Sequence, residues 1–447
     1  MNNRIKRLSI IASVAMLLLL NSMTECQIVY PARVKSDNDS LLLKDIIKEV
    51  ITTYPTIKTA EEAINNANTR IAMARTGYYP EADLTAGYTN LGPVTKLTIP
   101  DMGTFQLYPA NNYSASLNYR QVVYDFGRTR QNIAIETEGK VLGEQVLEQV
   151  KQKLSLYAVN NYYALLFLQE AIKIKEAQVA ALNEHLSQVE KMMSTGSATE
   201  YQLLATKVKI STVEGQKVDL IASLTAQQAS LNSLLGSDNG TTPVVKSELT
   251  VSLPDIPSDS LLSYAFQNRD EMILNQENTS LAELKYGIAK MQNKPVISFQ
   301  ASGGAKNGYV PNLGEIKPNY VIGLGIRVPV FDGMKSKYNA LQAQSAITSL
   351  SYESDYERRN ISNELYEAVA YLTSARQKVD QFKLQLEQAE KANSLAETSF
   401  KSGMITNLDL LDASTSVSES RLMLLKAQID FALSIYRLKA ALGQRIY

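Results

Sequence analysis

Asp409 and Asp412, in the segment KSGMITNLDLLDA, come nearest to a catalytic pair in this 447-residue chain. Three positions apart, they fall on one face of a helix. A general acid and a general base oppose each other across a substrate, and two carboxylates on one turn do not. The chain has one His, His185, and one Cys, Cys26. That excludes a disulfide framework, a zinc finger and a multi-His metal centre. The glycine-rich run ASGGAKNG at 301–308 falls in a strand and loop instead of ahead of a helix, so it is a weak phosphate cradle. Lys and Arg number 45 against 45 Asp and Glu, which gives nucleic acid nothing to bind to. The residue chemistry predicts no enzyme and no cofactor.

The elements that position these residues come twice. Tyr124-Asp125 and Phe331-Asp332 lie 207 residues apart, each followed within two residues by Gly. Gly196 and Gly403 share the same offset, as do Gly236 and Gly443. Three anchors at one spacing mark an internal duplication. The first repeat is 27–235, a linker with Pro243, Pro254 and Pro257 covers 236–259, and the second repeat is 260–447.

Each repeat carries two period-2 segments and then a long helical stretch. In the first, strands are expected over about 80–90 and 112–125. Ala82, Leu84, Ala86 and Tyr88 alternate with Glu81, Asp83 and Thr85. Tyr113, Ala115, Leu117 and Tyr119 alternate with Ser114, Ser116, Asn118 and Arg120. In the second, strands are expected over about 295–304 and 318–331, and residues 90–112 and 304–319 read as loops. Long helices are expected over 128–194 and 200–235, then 335–401 and 406–442. The stretch 128–194 lacks proline, and as a helix it would span ~100 Å. Val179, Leu182, Leu186, Val189 and Met193 step by three and four, a coiled-coil seam. His185 lies one position before Leu186 and reads as a solvated or packed histidine.

Residues 1–26 read as a secretory signal, with Arg4, Lys6 and Arg7 ahead of an apolar run from Ile10 to Leu20. A cut after Cys26 leaves Gln27 first; alternatively Cys26 is the candidate for lipidation. The strand faces fit two environments. An apolar, Tyr-bearing face opposite a polar one suits a membrane barrel, and it also suits a soluble strand pair packed on helices. Export and helix length favour the barrel. Four strands are too few to close one, so closure would need several chains.

The duplicated plan resembles the TolC-like outer-membrane efflux proteins over essentially all of residues 40–443. The segments carrying the likeness are GYYPEADLTAGY, YRQVVYDFGRTRQNI, IRVPVFDGMKSKYNA and FKSGMITNLDLLDASTSVSESRLMLLKAQIDF. The last is the most specific. The resemblance implies an α+β membrane protein, each repeat a β-hairpin plus a long α-helical hairpin. It further implies a homotrimer with a 12-stranded β-barrel in outer-membrane lipid, on an α-helical barrel in the periplasm. The implied function is a passive export duct that docks with a periplasmic adaptor protein and an inner-membrane pump. A periplasmic coiled-coil adaptor or scaffold is the other reading. Adaptors usually place small β-domains after their helical hairpins, whereas these strand pairs come before.

The resemblance assigns Asp409 and Asp412 to a selectivity ring at the constricted end of the tunnel. Three chains would bring six carboxylates together, which attract cations. Capping accounts for Asp409 without a pore, since Thr406-x-x-Asp409 is a capping box matched by Thr199 and Gln202. It leaves Asp412, whose counterpart is Ala205, unexplained. Gly196, Ser197, Ala198, Gly403, Met404 and Ile405 form the two tip turns and are the expected adaptor contacts. The best-known family members close the tunnel with a Tyr and an Arg near the second tip, where this chain has Phe400 and Ile405. Either other contacts hold the closed state here or it is less tightly closed.

Overall fold

The computed structural model describes residues 40–447 except 102, 239–241, 250, 255, 258 and 259. The signal reading and Cys26 lie outside the described residues. Helix α1, Leu43–Thr53, buries Leu43, Ile46, Ile47 and Val50 on one stripe. It stops because Tyr54 precedes Pro55 and is extended, and Pro55 then opens α2, Pro55–Arg75. A single 3-10 turn leads to β1, Glu81–Asn90. The segment expected as a plain loop holds a small hairpin, β2 Lys96–Ile99 with β3 Gly103–Gln106. Then come β4, Asn111–Tyr124, and two long helices, α3 Arg128–Ser194 and α4 Glu200–Leu235. The second repeat has α5 Leu261–Asn268, α6 Asp270–Lys290, β5 Val296–Lys306, β6 Lys317–Arg327, α7 Lys335–Lys401 and α8 Asn407–Ala441.

β6 ends at Arg327, short of the expected 331. Arg327 pairs with Val296, the first residue of β5, so from Val328 onward β5 offers no further residue to pair with. At its other end β5 runs on to Lys306, because Ala305 and Lys306 still pair with Ala115 and Ser114.

The sheet is antiparallel in the order β1-β4-β5-β6. Its register sorts the side chains by chemistry. Leu84 faces Leu117 and Tyr88 faces Tyr113, whose rings stand 5.1 Å apart. Tyr320, Ile322 and Leu324 continue that face and are exposed. The opposite face is polar: the Asn118 amide donates to the Asp83 carboxylate at 2.9 Å, and the Thr85 and Ser116 hydroxyls meet at 2.9 Å. Among the described residues no helix is long and apolar enough to cross a membrane.

The repeated aspartates fasten strand to helix. Asp125 accepts from the Thr129 amide at 2.7 Å and its hydroxyl at 2.6 Å. Asp332 accepts from the Ser336 amide at 2.9 Å and from the Ser336 hydroxyl. Each thereby satisfies one free amide in the first turn of a 67-residue helix from two residues before its N-cap, Gly127 or Met334. The helices pair as α3 with α4 and α7 with α8, and α3 packs on α8. A core of α1, α3, α4 and α8 residues joins the two hairpins. Tyr162 and Tyr163 are fully buried in it, and their hydroxyls donate to the carbonyls of Lys246 and Glu248. The linker is tied to the core in this way.

Candidate functional site at the helical tips

Both tip turns are built alike. Gly196 has φ 74° and Gly403 has φ 75°, a left-handed setting that strains any residue with a Cβ. Behind them Ser197 N donates to Met192 O at 2.8 Å, and Met404 N to Ser399 O at 2.9 Å. Both returning helices start with a capping box. Thr199 N donates to Gln202 Oε1 at 3.0 Å, and Thr406 N to Asp409 Oδ2 at 2.8 Å. At the second tip the Thr406 hydroxyl also donates to Asp409 Oδ2, at 2.7 Å. These bonds favour the ionised form and hold the Asp409 carboxyl below its ordinary 3.8.

Asp409 and Asp412 are exposed on one face of α8, which continues through exposed Ser416 and Glu419. The cap bonds converge on one oxygen of Asp409, so capping leaves the charge facing outward. Ser197 and Met404 are exposed in the turns, and Ala198 and Ile405 half-buried.

The contact that joins the two tips was not legible in the sequence. Asn407, the first residue of α8, is buried at 3% exposure. Its amide nitrogen donates to Gln202 O and Thr206 Oγ1, both at 3.3 Å, on α4. Its carbonyl lies 2.6 Å from His185 Nε2 on α3. The Gln202 carbonyl can only accept, so the amide nitrogen faces it and Oδ1 faces the imidazole. Nε2 is therefore the donor. The His185 ring stands edge-on to Phe400, 5.3 Å between centroids. Just inside, Leu182, Ile210, Val213 and Leu411 form an apolar cluster from α3, α4 and α8. The repeat offset places Ala392 and Glu200 opposite His185 and Asn407, so the duplication carries no trace of this link.

Arg120 and Arg327 lie far from the tips, on the polar face of the sheet. With Glu81, Arg128 and Gln300 they line an open cavity of about 710 Å³ where strands meet helices. Arg128 is spent on structure, donating to the carbonyls of Met291, Gln292 and Lys294 at 3.0, 2.7 and 2.6 Å.

The model of the outer membrane efflux protein family matches residues 46–237 and 261–444. The protease secretion protein PrtF of Dickeya chrysanthemi is 22% identical over 366 residues, covering 77% of this chain and 75% of that protein. The outer membrane protein TolC of Vibrio cholerae is 21% identical over 385 residues, covering 83% and 84%. Among solved structures, CusC superposes with a TM-score of 0.75 at 18% identity, covering 90% of this chain and 92% of that one. The outer membrane protein VceC of Vibrio cholerae superposes at 0.74 and 20% identity, covering 91% and 97%. The matched family covers both repeats, strands and helical hairpins alike, and the chain belongs to the outer membrane efflux protein family, non-enzymatic channels of the outer membrane that reach into the periplasm.

Proposed function

We propose that three copies of this chain form a passive export duct. The observation that carries the reading is a pair of unpartnered flanks on the same two sides. In the sheet the edges are β1 and β6. In the helices the order α4-α3-α8-α7 leaves α4 and α7 outermost. Both first-repeat edges lie to one side and both second-repeat edges to the other. A head-to-tail contact satisfies all four at once, and such a contact makes a ring when its rotation closes. With three copies it yields a 12-stranded barrel, apolar face to lipid and polar face to water. The exposed Tyr201, Leu204 and Val208 on α4 and Leu384 and Leu395 on α7 supply the apolar surface for the helical joints.

In the ring Asp409 and Asp412 face the pore as six carboxylates and favour cations. The tip residues Gly196, Ser197, Ala198, Gly403, Met404 and Ile405 meet a periplasmic adaptor, and energy comes from an inner-membrane pump. Planar-bilayer conductance of the purified protein tests this, with Asp409→Asn/Asp412→Asn alongside. A cation-selective pore whose selectivity drops in the double variant is expected. A pore unchanged by the substitutions would leave Asp409 a helix cap and Asp412 an exposed surface charge. Protein that stays soluble without detergent and does not conduct would overturn the duct in favour of a coiled-coil scaffold.

A further inference from the structure

We propose that the Asn407 amide, clamped between His185 on one helix and Thr206 on another, is the latch that pins the second helical tip to the first and keeps the end of the duct narrow. The proposal rests on the duct reading above. Each hairpin tip is bent back by its own glycine turn and capped by its own Thr, so neither tip needs the other in order to form. What joins them is a small set of contacts. Asn407 bonds to His185, Gln202 and Thr206, and the His185 ring meets Phe400.

Three features mark this cluster as more than packing. Asn407 stands at the first position of α8, the point where the second hairpin would pivot away from the first. Its amide is almost fully buried and has every group turned to use, with Oδ1 accepting from α3 and Nδ2 donating to α4. Replacing His185 leaves the buried Asn407 Oδ1 unsatisfied, whereas Nδ2 keeps the Gln202 carbonyl when Thr206 is replaced, so the histidine bond is the specific one. Phe400, the last buried residue of α7, rests on the same imidazole. One side chain, His185, therefore contacts both arms of the second hairpin. Swinging that hairpin outward, the motion that widens the end, separates all these contacts together.

Single-channel recordings would compare wild type with His185→Phe, which keeps a ring against Phe400 but loses the donor, and Asn407→Leu, which keeps the volume but loses the amide. Each is expected to raise the open probability about tenfold, the effect of one lost hydrogen bond. The double variant is expected to do no more than either single. His185→Gln, which restores a donor, should stay near wild type. Should the first two variants fail to assemble, Thr206→Val carries the test, with a smaller rise of the same sign.

Spin labels at Ser197 and Met404 give a second readout, a tip-to-tip distance that widens in the variants. Assembled single variants that conduct and measure as wild type would overturn the latch, as would a double variant whose effect is the product of the singles. A wild-type protein that never conducts would instead strike the duct reading, and the label distances would still decide the latch.

Discussion

Asp409 takes the Thr406 amide and hydroxyl on one carboxylate oxygen, which ties the charge of the tip to the start of α8. Its folded value lies below 3.8, so the sign follows directly. Capping stabilisation is fully present above the ordinary carboxylate range and is lost as the pH falls through the lowered value. In the proposed ring the cap bonds should therefore carry the Asp409 share of cation selectivity to lower pH than a carboxylate without them would reach. Reversal potentials recorded across acid pH, wild type against Asp409→Asn and Thr406→Val, check this; an Asp409 share whose pH dependence Thr406→Val leaves unmoved would contradict the bonded carboxylate.

At the scale of elements, the join between the repeats is the pairing of β4 with β5, and one glycine makes it close enough. A Cβ on Gly304 would lie 2.1 Å from the Ala115 carbonyl oxygen and 2.7 Å from Ser116 Cα, both backbone atoms that cannot turn aside. Its neighbour Gly303 has nothing within 4 Å of the same position. Gly304→Ala is expected to abolish the folded, detergent-stable assembly, and Gly303→Ala to preserve it, as read by gel mobility before and after heating.

Inside the first helical hairpin Lys175 is buried and donates to the neutral amides of Gln178 and Gln216, at 3.2 and 2.8 Å. Burial holds its ammonium below the ordinary 10.5; Glu419 opposes that shift and Lys209 adds to it. The unfolded chain then binds the proton more tightly, so stability rises as the pH climbs from the lowered value towards 10.5. Lys175→Met should remove that alkaline rise, and at neutral pH it leaves the buried Gln178 carbonyl without its donor, at a cost on the order of 1 kcal/mol. Thermal melts across alkaline pH would show both effects, and an alkaline rise that survives the substitution would mean that another group carries it.

For the molecule as a whole, the unpartnered helices and strands demand a neighbour. The stripe of Tyr201, Leu204 and Val208 stands exposed on α4, with no facing helix among the described residues in the order α4-α3-α8-α7. Leu204→Glu/Val208→Glu places charges where a second copy would pack. The expected product is a monomer of unchanged helix content, seen by light scattering in detergent and far-ultraviolet circular dichroism. A trimer that survives both charges would move the helical joint elsewhere.

Sequence alone determined the periodic features of this protein. Repeat spacing, strand faces and the long proline-free helices are local, because side-chain period and backbone propensity act over a few residues. The tip glycines and both capping boxes were legible for the same reason, each being closed by residues three to five apart. Features that need a partner were settled only in three dimensions. β6 ends at Arg327 because β5 begins at Val296, a limit that no property of residues 328–331 announces. The β2–β3 hairpin hides in a stretch whose glycines and prolines read as loop. The His185–Asn407 contact joins residues 222 apart with no echo in the repeat. Its physical cause is the packing of two hairpins, which brings a donor, an acceptor and a ring to one buried point that none of the separate segments defines.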